Sequence, residues 1–307
     1  MSESPTIDWG AEALWEQLVP LLPGLSIEVV PRVGSTNTAL LERARAIPDT
    51  RSGELDVLVR RSQESSAFGR RAIDLQPCLL VAEHQTAGRG RQGRLWQSAV
   101  GASLTFSICL PLAARDWSGL SLAVGSALAD ALDPTDPASP GRHIGLKWPN
   151  DLWLTDGPVQ ETAPRGRKLG GVLIETVAAG SAQGGSRLVI VGIGLNVLPF
   201  DTAEVRTGFA SLQELDPQAA APSTLARIAR PLIDALRLFE QHRFAAFADR
   251  YRARDLLFGR PVQTAGGESV RGTARGVSAD GALIVETPAG PVSVVSGEVS
   301  VRFDSQP

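Results

Sequence analysis

The chain has 307 residues, 43% of them hydrophobic, with 30 basic and 33 acidic side chains and a net charge of −3. Such a length accommodates one large and one small domain, and so balanced a charge excludes a global field for holding nucleic acid, so any anion site must be local. Two cysteines, Cys78 and Cys109, are too few and too far apart for a disulfide framework or a thiolate metal cluster, which points to a reducing compartment. With no signal-like start and no apolar run of roughly 20 residues, a soluble, cytoplasmic protein without a membrane partner is expected.

Residues 10–22 place Leu14, Leu18, Leu21 and Leu22 at helical spacing, predicting a short amphipathic helix that stops near Pro23 and Gly24. SIEVVPRV reads as a strand and STNTALLERARAI as a helix, with Ser35, Thr36 and Asn37 as candidate caps. The Ser-, Arg- and Asp-rich stretch 51–76 is expected to be an exposed insertion. From Cys78 the pattern turns to strands: CLLVAEH, ASLTFSICL and, after the helix GLSLAVGSALADALD, the segments IGLKW, DLWLT, GGVLIETV and RLVIVGIGLNV. This describes an α+β fold with a mixed sheet. A long helical pattern starting at Pro222 contains Pro231, which is expected to kink or divide it. Beyond Gly259, short β-type runs punctuated by Gly and Pro predict a small β-barrel starting near residue 257.

Five segments carry chemistry. In Gly88-Arg89-Gly90-Arg91-Gln92-Gly93-Arg94-Leu95-Trp96, glycines let backbone N–H groups turn toward an anion and arginines supply permanent bidentate donors. With no acid nearby in sequence, the loop is expected to be mobile and to order on an anion. The string matches the dinucleotide-binding glycine pattern, but a strand rather than a helix follows, and no Walker-type sequence occurs. Lys147-Trp148-Pro149-Asn150-Asp151 lies between apolar strands, where Lys147 and Asp151 are either functional or an ion pair at a strand end. Arg167-Lys168-Leu169-Gly170-Gly171-Val172-Leu173-Ile174-Glu175 puts a cation before two glycines that open a strand, where a ligand could approach the backbone closely. Gly192-Ile193-Gly194-Leu195-Asn196 serves either a ligand or tight strand packing, and Gly34-Ser35-Thr36-Asn37 either a ligand or a helix cap. His84, His143 and His242 sit in no pattern for a nucleophile or ligand.

In this order the five segments resemble the catalytic domain of biotin protein ligases, over about residues 26–303. The resemblance implies a mixed β-sheet catalytic domain of class II synthetase-like type with a small C-terminal SH3-like β-barrel. The expected division is an N-terminal helical extension over 1–25, a biotin/ATP-binding catalytic domain over 26–256 and the barrel over 257–307. It further implies ATP-dependent activation of biotin to biotinyl-adenylate, with Mg²⁺, and transfer to a lysine of a biotin carboxyl carrier protein. Biotin would be held by Ser35, Thr36, Asn37 and Gln85, by Arg89, Gly90 and Arg91, by Lys168, and by walls of Gly171, Leu173, Gly192 and Gly194, whose small residues leave room for the bicycle. ATP would meet Arg89, Arg91, Arg94, Trp96, Lys147, Asn150, Lys168 and Asn196. Lys147, Asp151, Lys168 and Arg91 are the catalytic candidates, with Asp151 orienting or deprotonating the acceptor amine. The Mg²⁺ ligands, the acceptor's identity and the choice between monomer and homodimer are not readable from the sequence.

Some family members begin with a DNA-binding winged helix-turn-helix; only 34 residues precede Ser35, so a ligase without DNA binding is expected. The stretches 51–76 and 156–167 read as surface insertions. Lipoate ligases and octanoyltransferases share a similar core and form the alternative enzyme class, and a non-catalytic biotin or adenylate sensor forms the alternative outside enzymes.

Overall fold

The structure, a computed structural model, describes residues 7–45, 76–114, 116–161, 166–178, 187–200, 208–265, 269–295 and 300–303. In chain order come α1 (Ala11–Leu18), β1 (Ser26–Val33), α2 (Thr36–Arg45), β2 (Cys78–Gln85), β3 (Gly88–Arg89), β4 (Leu95–Trp96) and β5 (Ser103–Leu112). There follow α3 (Leu120–Leu132), β6 (His143–Lys147), β7 (Asp151–Thr155), β8 (Gly166–Ala178), β9 (Arg187–Asn196), α4 (Ala221–His242) and α5 (Ala248–Arg254). The chain then forms β10 (Pro261–Ala265), β11 (Arg271–Val277), β12 (Leu283–Thr287), β13 (Gly290–Val294) and β14 (Ser300–Phe303).

Seven strands form one sheet in the order β1-β2-β5-β9-β8-β7-β6. Only β1 and β2 run parallel and the other neighbours antiparallel, so the sheet is mixed. Alternation sends Leu104, Phe106 and Ile108 of β5 and Val189, Val191 and Ile193 of β9 into the main core, together with α3 and α4. The opposite face is divided. Cys109, Leu188 and Ile190 pack there under Leu40 and Leu41 of α2. Farther along the same face the side chains become small or polar, with Ser107 on β5, Gly192 and Gly194 on β9 and Gly171 on β8, beside Leu173 of β8. This stretch, reached at one end by Thr36 and Asn37 at the start of α2, is the floor of the site.

A bulge in β8 decides what that floor contains. The β7–β8 register shifts between Leu152 and Trp153, so Leu169 and Val172, three positions apart, both enter the main core. Strict alternation would put them on opposite faces; the inserted residue turns Lys168 to the face that carries Gly171.

Three local expectations change. α4 runs unbroken from Ala221 to His242 with Pro231 inside it. Its flanking apolar residues Ile228, Leu232 and Ile233 are all buried, and their burial offsets a cost of about 3 kcal/mol for an internal proline. β8 starts at Gly166 rather than Gly170, because Gly166 pairs with Thr155 and Arg167 with Leu154, while Glu214 grips the Arg167 guanidinium at 2.6 and 3.0 Å. Arg167 is therefore part of a strand and not of a surface loop; of that insertion, 162–165 lie outside the described residues, as do 51–75 of the earlier one. α1 ends at Leu18, and Leu21 and Leu22 follow in a turn.

The small C-terminal sheet has the order β13-β12-β11-β10-β14, antiparallel throughout. It touches the main sheet where the Trp148 indole donates to the Gly281 carbonyl at 3.0 Å. His143 is structural: its ring lies 3.3 Å from Asp133, which also accepts from buried Arg254 at 3.1 Å and from the Ile144 amide at 2.9 Å. Among the described residues, no helix is long and apolar enough to cross a membrane.

Candidate active site

The glycine–arginine segment forms a hairpin over that floor, with the Trp96 indole against Gly194. β3 pairs with β4, Gly88 opposite Trp96 and Arg89 opposite Leu95, and the Gly90 amide donates to the Arg94 carbonyl at 2.7 Å. Gly88 permits the ribbon, since a Cβ there would sit 2.4 Å from the Trp96 carbonyl oxygen, and Gly93 turns it at φ +71°. The hairpin is thus folded, and acids do meet its cations. Arg89 pairs with Glu175 at 3.1 Å and donates to Thr38 at 3.0 Å. Asp151 attracts the Arg91 guanidinium, while burial, the larger influence, and neighbouring Arg94 press its pKa downward. The expectation of a loop remote from acids is corrected: Glu175 lies 86 residues away in the chain and reaches Arg89 through the sheet.

Lys147 and Asp151 are register partners at the β6–β7 turn, yet the Asp151 carboxylate takes Lys168, at 2.7 Å, and Lys147 lies 4.4 Å from the centre of the Trp153 ring. Lys168 also stands 5.9 Å from the Trp96 ring centre. The turn between these strands is fixed on three sides: Ser121 donates to the Pro149 carbonyl at 2.9 Å, Asn150 exchanges bonds of 2.8 and 2.9 Å with the Val172 backbone, and Trp148 is held as above.

At the other end of the floor, Gln85 Oε1 accepts the Thr36 amide at 2.8 Å. Ser107 Oγ lies 2.6 Å from both Thr36 Oγ1 and Asn37 Oδ1, and Asn37 Nδ2 donates to Glu175 at 3.0 Å. Ser35 acts as a cap, its hydroxyl accepting the Thr38 amide at 3.4 Å. The glycines of β9 accommodate protein side chains here: a Cβ on Gly192 would meet Asn37 Oδ1 at 2.1 Å, and one on Gly194 would meet the Trp96 indole at 2.5 Å. The room above them, expected for the bicycle, holds Asn37 and Trp96 in this conformation. Gly171 has only ordinary contacts, the nearest being Asp151 at 3.4 Å.

The two amides assigned to nucleotide serve the scaffold with their N–H groups. Asn196 Nδ2 spends both protons, on the Lys168 carbonyl at 3.3 Å and the Ala210 carbonyl at 3.1 Å, which leaves its oxygen to accept from a ligand. The buried Trp96 Nε1 has no hydrogen-bond partner among the described residues. Ser107 and Thr38 belong to this constellation and went unrecognised in the sequence, and Glu175, at the end of the Arg167–Glu175 segment, carried no assigned role; the one available signal was a polar residue on an otherwise apolar strand.

The region matched by the Biotin/lipoate A/B protein ligase family is 72–196, and residues 257–302 match the biotin protein ligase C-terminal domain. The biotin–[acetyl-CoA-carboxylase] ligase of Mycobacterium tuberculosis is 33% identical over 297 residues, covering 94% of this chain and 91% of that one. The bifunctional ligase/repressor BirA of Escherichia coli is 31% identical over 292 residues, covering 94% of this chain and 77% of its own length. The biotin protein ligase of Aquifex aeolicus, solved in complex with biotin and ATP, superposes with a TM-score of 0.64 at 25% identity, over 91% of this chain and 99% of that one. The first of these family regions ends at Asn196 on the site floor and the second spans the C-terminal sheet; with relatives this similar over nearly the whole length, the chain belongs to the biotin protein ligase family.

Proposed function

We infer that the protein activates biotin with ATP as biotinyl-5'-AMP, releasing pyrophosphate, and transfers the biotinyl group to one lysine of a biotin carboxyl carrier protein, such as that of acetyl-CoA carboxylase. The observation that carries this function is the gathering of Arg89, Arg91 and Lys168 around one small-residue patch of sheet, with Asp151 among them. Adenylation brings two anions together, the biotin carboxylate and the ATP α-phosphate. Catalysis therefore rests on positioning and on neutralising charge at the phosphoryl oxygens, which fixed cations supply. Lys168 and Arg91 flank Asp151 and face that charge; Thr36, Asn37 and Gln85 offer the polar end suited to a ureido ring.

In the transfer step a neutral lysine amine attacks the mixed anhydride. Asp151 commits Oδ1 to Lys168 and has Oδ2 to accept an N–H of that amine. The Gly88–Trp96 hairpin covers the patch and keeps water from the anhydride. Among the described residues no group of three metal-ligating side chains occurs. A Mg²⁺ arriving with the nucleotide would add neutralising charge beside Lys168, and Asp151 would offer it a carboxylate oxygen in the adenylation step, before the acceptor amine enters.

The reading extends to a cytoplasmic enzyme that acts as monomer or homodimer, without DNA or membrane partners, divided into an extension over 1–25, a catalytic unit over 26–256 and the C-terminal unit from 257. Its test is ATP–pyrophosphate exchange, which should depend on biotin, followed by labelling of a purified carrier domain. Exchange driven by lipoate and not biotin would move the substrate to the lipoyl class, and exchange with neither would leave a sensor.

A further inference from the structure

Glu175 closes the Arg167–Glu175 segment without any role assigned to it there, yet both of its oxygens are engaged at the site. Oε1 receives Arg89 from the hairpin at 3.1 Å, and Oε2 receives Asn37 Nδ2 from the start of α2 at 3.0 Å. A count of protons fixes the direction of the bonds beyond Asn37. Asn37 Oδ1 can only accept, so Ser107 gives it its single proton across 2.6 Å; the equally short Ser107–Thr36 contact then takes the Thr36 hydroxyl proton. Gln85 Oε1 is left to the Thr36 amide at 2.8 Å. One directed chain therefore joins the hairpin, through Glu175, to the group proposed for the ureido ring. Arg89 spends two of its five N–H donors on Glu175 and Thr38 and retains three for a carboxylate.

We propose that Glu175 is a positioning residue that anchors the Gly88–Trp96 hairpin to the pocket floor before any ligand arrives, holding Arg89 with one oxygen and Asn37 with the other. The inference deepens the biotin assignment and rests on it for what Arg89 receives. The anchor aligns Arg89 with a carboxylate entering beside it, so it acts on capture of biotin more than on the chemical step. The Glu175 side chain is 19% exposed and that of Arg89 42%, so the link is partly screened by salt.

The test compares the full-length protein with Glu175→Gln, without biotin or ATP, by limited trypsin digestion resolved bond by bond in a mass spectrometer. Cleavage after Arg89, Arg91 and Arg94 should accelerate about five- to tenfold in the variant, and the ratio should fall toward one at about 1 M salt, where the Debye length is about 3 Å. Thr38→Ala, which removes the weaker anchor of Arg89, should give a smaller acceleration of about two- to threefold and serves if the first variant does not fold. In exchange assays the Glu175→Gln biotin KM should rise about tenfold and kcat fall by less than threefold, a split that simple loss of folded protein does not produce. Wild-type rates of cleavage in both variants overturn the anchor, as does a fall in kcat at constant KM. If the wild type shows no biotin-dependent exchange, the activity assignment fails while the cleavage ratio still judges the anchor; normal exchange with unchanged cleavage sinks the anchor alone.

Discussion

Replacing Gly192 by alanine is expected to displace Asn37 and to cost about 2–4 kcal/mol. The backbone of Gly192 suits any residue, so the effect is steric: the new Cβ would stand 2.1 Å from Asn37 Oδ1, 2.7 Å from its Cγ and 3.0 Å from its Nδ2. Asn37 is 3% exposed and cannot swing into water without abandoning its bonds. It would lose a bond to a carboxylate, of about 1.5–3 kcal/mol, and neutral bonds to Ser107 and the Leu173 carbonyl of about 1 kcal/mol each, partly recovered by relaxation. At roughly 2–4 °C per kcal/mol the melting temperature should drop by about 5–15 °C. The decisive comparison is a double-mutant cycle read by urea unfolding. In an Asn37→Ala background the same glycine change should cost less than about 1 kcal/mol, because the clash has gone. Equal costs in the two backgrounds, or a cost below about 0.5 kcal/mol in the wild type, would refute the reasoning.

Lys168→Ala should weaken biotin and biotinyl-adenylate together by about 10- to 100-fold in calorimetry, through loss of a charged donor. The same change should alter stability by less than about 1 kcal/mol, since its Asp151 pair is a quarter or so exposed; unchanged biotin affinity would count against the role. Arg91→Ala should release biotinyl-adenylate to solution about tenfold faster or more and slow carrier labelling, and normal retention on a filter would contradict it. Asp255 supplies a pH signature. Burial pushes its carboxyl from 3.8 up to about 6, so the folded state binds that proton more tightly than the unfolded chain. The stabilisation is complete below about pH 4 and is lost as pH rises through 6. Asp255→Asn removes this dependence, so variant stability minus wild-type stability should rise between about pH 4.5 and 7.5 in urea titrations; a flat difference would exclude the shift.

The strands were legible because their signal is local. SIEVVPRV, IGLK and DLWLT read as β1, β6 and β7, as the β-rich or apolar runs between turn residues required. Pro231 does not divide α4, because a local helix-breaking preference is outweighed by an apolar stripe that packs into a core no local window contains. The cations and glycines of the site could be picked out from composition and spacing alone, whereas their partners could not. Nothing near Arg89 in the chain announces Glu175, and Ser107 is hidden in a strand that reads as apolar.

What the sequence determined by itself was the set of elements, the charged and small residues available for chemistry, and the family to which they point. Which of them meet was settled in three dimensions. Register set Lys147 opposite Asp151 and Lys168 opposite Trp153, and one bulge in β8 turned Lys168 to the working face, where it holds the Asp151 carboxylate. Periodicity and capping act over a few residues, but a sheet brings together side chains tens of residues apart. Their pairing follows from which strands lie side by side and by how much they are offset.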